Sequence, residues 1–110
     1  MAEVIRVLGQ SAPGATTETD LYTVPAATSA VLSSLVVCNR GATPTTFRAG
    51  VAVGGGATAN KDYLYYDVTI GGRDTFVATV GISIAATDKV RVYAGSANLS
   101  FSLFGVERTP

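Results

Sequence analysis

The chain has no histidine and no tryptophan, one cysteine, one methionine, and few charges. Each shortage removes chemistry. Without histidine there is no Ser-His-Asp triad, no Cys-His pair, no histidine-bound zinc and no histidine pH switch. A single cysteine, Cys38, excludes cysteine-rich metal sites and a disulfide within the chain. Charged residues make up 15% of the sequence, eight basic against eight acidic. That is well below the roughly 25% of an average soluble protein. A balance of zero argues against a nucleic-acid partner, which usually brings a basic surface. No apolar run approaches the roughly 18 residues of a membrane-spanning helix, and Glu3 and Arg6 interrupt the N-terminal apolar residues, so neither a membrane segment nor a signal-peptide core is expected.

What is present is apolar and small. Hydrophobic residues account for 47% of the 110 positions. Such a chain is expected to fold, as a single domain over 1–110, and its charge-poor surface favours association. The hydrophobic period is mostly two. Strands are expected at Glu3–Leu8, Asp20–Val24, Ala30–Arg40, Thr45–Val53, Asp62–Thr69, Asp74–Val80 with Ile82–Ile84, Lys89–Ala94 and Asn98–Val106. The first is read as buried on both faces. Ala30–Arg40 reads as a central strand. Phe47, Ala49, Val51 and Val53 are expected on one face, and Gly71-Gly72 is expected to supply a positive φ in a tight turn. Turn signals every 8–12 residues and the lack of an amphipathic helix point to an all-β, antiparallel β-sandwich, jelly-roll-like, with seven to nine strands. Residues 1–19, a strand and a loop, are a candidate assembly arm, because an unpaired strand can add to a neighbouring sheet.

The chemical candidates are weak. Gly54-Gly55-Gly56 lacks the lysine and helix of a phosphate loop. Asp62, Asp67, Asp74 and Asp88 are scattered, whereas calcium needs six to eight converging oxygens, and aspartates beside turns usually bond local backbone. No metal or cofactor is therefore expected. A carboxylate-based hydrolase would need two acids meeting in a cleft, so an enzyme is not expected. Cys38 reads as a core residue in the most apolar strand. Tyr63, Tyr65 and Tyr66 form an aromatic cluster, with Tyr63 and Tyr65 expected on one strand face. Together with Arg48 and Arg91 they are the candidate interface residues, since tyrosine and arginine are enriched at protein interfaces. Exposed coplanar tyrosines would instead suggest sugar binding.

The blocks Leu21–Ala26 (LYTVPA), Ser33–Gly41 (SSLVVCNRG), Tyr63–Asp67 (YLYYD), Arg91–Ala94 (RVYA) and Leu99–Gly105 (LSFSLFG) resemble short all-β virion structural proteins of tailed bacteriophages and prophages. The resemblance spans Asp20 to Glu107 and carries no catalytic signature. It implies a non-enzymatic virion component made in the bacterial cytoplasm, serving as capsid decoration or as part of a tail, baseplate or fibre. Its expected partners are itself, as a homotrimer, and a larger capsid, tail or fibre protein, with no nucleic acid and no membrane. A carbohydrate-binding or adhesin module at a tail tip is the alternative.

Overall fold

The computed structural model describes residues 2–110, and the order of its strands follows from where the apolar residues must go. Eight strands form: β1 Ala2–Ser11, β2 Glu18–Thr23, β3 Ser29–Asn39, β4 Thr45–Ala52, β5 Tyr63–Ile70, β6 Thr75–Ile84, β7 Lys89–Ala94 and β8 Leu99–Thr109. They make two four-stranded sheets, β1-β8-β3-β6 and β2-β7-β4-β5, and every neighbouring pair is antiparallel. Except at the β4–β5 hairpin, the chain changes sheet at each connection, giving a jelly-roll-like sandwich. The body is flat, 45 × 27 × 19 Å.

Alternation builds the core. Leu99, Phe101 and Leu103 of β8, Leu35 and Val37 of β3, and Phe47, Ala49, Val92 and Ala94 of the opposite sheet are all buried between the layers. Phe47 meets Phe76 and Phe101 at ring-centroid separations of 5.2 and 6.2 Å, which locks the two sheets together.

Three buried polar residues organise the loops. Asn39 Nδ2 donates to the carbonyls of Thr43 (2.9 Å) and Gly71 (3.1 Å), and its Oδ1 accepts from the Gly41 N–H (3.0 Å). At the other end Asp88 accepts from the N–H groups of Gly54 (2.8 Å) and Ala85 (2.9 Å). Asp62 accepts from the Ala59 N–H (2.9 Å). These side chains replace backbone partners that irregular segments lack.

Several expectations are corrected. β1 is not buried on both faces: it is an edge strand, and Ile5 is 86% exposed. Val53 leaves the face of Phe47 and Ala49, because the chain turns into a short 3₁₀ segment, Val53–Gly55, and exposes it. Between the two glycines and Asp74 it is Arg73, not a glycine, that takes the positive φ (58°). Gly72 is needed for space instead, since a Cβ there would stand 2.1 Å from the Ala42 carbonyl oxygen. Ile82–Ile84 is the continuation of the strand before it, so Thr75–Ile84 is one kinked strand. Cys38 is not in the core: it alternates with buried Val37 and Asn39, and lies half-buried on the outer side of its sheet opposite Thr75 and Ser100.

Candidate interface on the two outer faces

The outer face of the β2-β7-β4-β5 sheet carries three of the six ion pairs among the described residues and both cation–π contacts. Register sets it up. Asp20 of β2 stands opposite Arg91 of β7, which stands opposite Gly50 of β4; one row further on, Tyr93 stands opposite Arg48. In β5 the pairing with β4 slips twice, from Phe47–Val68 to Ala49–Tyr65 and then to Gly50–Tyr63. The first slip sets two residues, Tyr66 and Asp67, against Arg48, with Asp67 at φ 49°. A bulge of this kind re-aims side chains.

Arg48 is consequently enclosed. Its guanidinium lies 4.3 Å from the Tyr66 ring centroid and 4.5 Å from that of Tyr93, and it grips Asp67 through Nε (2.6 Å) and Nη2 (3.3 Å). The fork-shaped cation is suited to stack on rings and bind a carboxylate at once. Its pKa is raised, first by the hydrogen bond to Asp67, so it stays charged throughout. Arg91 binds Asp20 (2.9 Å), Thr58 Oγ1 (3.0 Å) and the carbonyls of Gly55 (3.1 Å) and Gly56. It fastens the 53–59 loop to the sheet. The Arg91 hydrogen bond, followed by that of Lys89 (3.0 Å), holds the Asp20 carboxyl below its ordinary value of 3.8.

The five candidate residues therefore divide. Arg48, Tyr63, Tyr66 and Arg91 share this face, whereas Tyr65 points the other way and packs on Phe76 (5.4 Å) and Phe47 (6.2 Å). The two slips break the strict alternation that would have put Tyr63 and Tyr65 together. Tyr63 meets Tyr66 edge-on instead, with centroids 4.9 Å apart and planes at 75°. The rings are not coplanar. Tyr93, Asp67 and Asp20 also belong here; the Arg91–Tyr93 alternation in the sequence was the available signal for Tyr93. The four aspartates do local work: Asp62 and Asp88 bind backbone, Asp74 accepts from the Thr75 N–H (2.8 Å), and Asp67 pairs with Arg48. The crevice between Glu18, Arg48, Asp62 and Arg91 has a volume of about 10 Å³, room for one water at most.

The opposite outer face, on β1-β8-β3-β6, is different in kind. By register, Ile5, Val106 and Val31 form one row, Val7 and Phe104 the next, and Val36 and Val77 a third. Serines and threonines fill the gaps. Its ionic pair is Arg108–Glu3 (3.4 Å) at one end. Val77 is 62% exposed.

No family model matches the chain, and no curated protein matches it. Among solved structures it is similar to a pentameric capsid protein isolated from metagenomic phage sequences, at 12% identity and a TM-score of 0.44, covering 97% of this chain and 61% of that one. A second structure of the same description, solved by iodide phasing, is similar at 14% identity and a TM-score of 0.37, covering 97% and 64%. The chain thus spans less than two-thirds of the length of either.

Proposed function

We propose that this chain is a non-enzymatic structural protein of a bacteriophage particle, a β-sandwich that associates with copies of itself, as a trimer, and seats on a larger virion protein. The observation that carries the reading is the outer face of β1-β8-β3-β6, apolar and hydroxylated with its charges confined to one end. Such a face loses little hydration when covered, because few charges have to be desolvated. The resemblance of the LYTVPA and SSLVVCNRG blocks to phage virion proteins supports the same role. On this reading residues 1–19 contribute to assembly through β1.

The sugar-binding alternative draws no support from the tyrosines, since Tyr65 packs half-buried against the core and the other two rings meet edge-on. The test is direct. Mass spectrometry of purified particles is expected to find the chain in stoichiometric amounts, and cryo-electron microscopy of those particles assigns it to head or tail. Light scattering of the isolated chain is expected to give a mass above the 11.2 kDa monomer. A clean monomer that is absent from particles overturns the proposal.

A further inference from the structure

Resting on that self-association, we infer that copies exchange β1: the strand leaves its own β8 and takes the same place on β8 of the next copy. β1 is the one strand that supplies nothing buried to the core. Each of the other seven contributes at least one buried residue, whereas none of Ala2–Ser11 is buried. In β1 only Leu8 packs, half-buried, against the core. What holds the strand is its ladder with β8, nine paired residues long. Elements with few buried apolar contacts open locally at the least cost in free energy, so β1 can lift away while the core stays packed. Val4, Ile5 and Val7 stand 49%, 86% and 46% exposed. Apolar residues left open along one strand suit a segment that lies between two bodies.

The β8 edge itself selects β1 as its occupant. β1 has two charged residues, and each meets its opposite on β8: Glu3 pairs with Arg108 (3.4 Å) and Arg6 with Glu107 (3.2 Å). Glu107 also accepts from the Tyr22 hydroxyl (2.6 Å), which holds the carboxylate in place for the arginine. Exposed pairs of this kind add little energy, but they fix partner and register. A second copy carries the same strand, so exchange remakes the same bonds and needs no new complementary surface. The connection to β2 favours it. Residues 12–17 include Pro13 and Gly14. Their turn is tied to β7 by the Thr16 N–H, which donates to the Ala94 carbonyl (2.8 Å), and it is held under strain. Thr16 sits at φ 53°, a conformation that β-branched residues rarely adopt. An extended connection releases that strain, and short strained hinges invite exchange. These six residues reach roughly 20 Å when extended, about the 19 Å thickness of the body. Passed around three copies, the exchange fills every β8 edge, because each copy gives one strand and receives one.

Crosslinking reads the exchange. In a Cys38→Ser background, Ile5→Cys with Val106→Cys places two thiols opposite each other across β1 and β8, and Val7→Cys with Phe104→Cys does the same one row on. Circular dichroism checks folding, and the second pair replaces the first if that one unfolds. The oligomer is isolated by size exclusion, treated with a short bis-maleimide and run on a denaturing gel. A chain that keeps its own β1 bridges itself first, because the two thiols stand on neighbouring strands. Exchange links chain to chain instead, so covalent species of two and three times 11.2 kDa are expected. Oligomers whose chains are each bridged internally, and so run as single chains, overturn the exchange while self-association survives. An unaltered chain that is monomeric at every concentration overturns self-association as well.

Discussion

Asn39 satisfies three backbone groups with one amide and is only 1% exposed, so its removal strands a donor at Gly41 and acceptors at Thr43 and Gly71. Asn39→Ala is expected to cost about 3 kcal/mol, the scale of buried polar groups left unpaired, read as a shift in the urea midpoint at constant slope. Arg48 offers a separate test of geometry against charge. Arg48→Lys keeps the positive charge but loses the planar stack between Tyr66 and Tyr93 and the two-pronged grip on Asp67. It is expected to lower Tm and diminish the near-ultraviolet dichroism of tyrosine almost as much as Arg48→Ala does. Asp20 supplies a pH dependence. Its folded pKa is depressed, so its contribution is present above the ordinary value of 3.8 and is lost as pH falls through the lower folded value. Thermal melts between pH 6 and pH 2 should show Tm falling more steeply below about pH 4 in the parent than in Asp20→Asn.

At the scale of the strand, slips decide what alternation alone cannot. Most of the layering was legible: Leu99, Phe101 and Leu103, or Phe47 and Ala49, lie on one face as a period of two requires. The turn aspartates were legible too, because short carboxylates next to turns bond backbone. The tyrosine cluster was not, since one extra residue reverses every later side chain, and nothing in YLYYD marks where β5 slips against β4. Cys38 was misplaced because an apolar run such as LVVC looks the same whether a strand is covered on one side or both. Ile5 likewise carries no sign that its strand lies at an edge. In β6 the slip is visible as Gly81 at φ 58°, with open space around its missing Cβ. Gly81→Ala is expected to cost about 1–2 kcal/mol from the left-handed backbone alone. Gly105→Ala differs, for there a Cβ would stand 2.2 Å from the Val31 carbonyl oxygen in the middle of the sheet. It is expected to cost about 3 kcal/mol or more, or to prevent folding, and denaturant melts of the two variants side by side separate strain from collision.

For the whole molecule, the scarcity of charge turns out to be an unequal distribution. Arg48, Lys89 and Arg91 gather on one broad face with Glu18, Asp20 and Asp67, which balance them, while the other broad face keeps a single pair at its end. The low total was readable from composition; the segregation was not, because it depends on which strands share a sheet. It has a consequence for how assembly responds to its medium. Attraction between opposite charges is screened within about 8–10 Å at physiological ionic strength, whereas apolar contact and backbone pairing are not. An assembly that covers the β1-β8-β3-β6 face should therefore hold as sodium chloride rises, and tighten in sulfate, which is excluded from exposed protein surface. Particles carrying such a protein would keep it through large swings in salinity, the condition under which a coat held by ion pairs begins to shed.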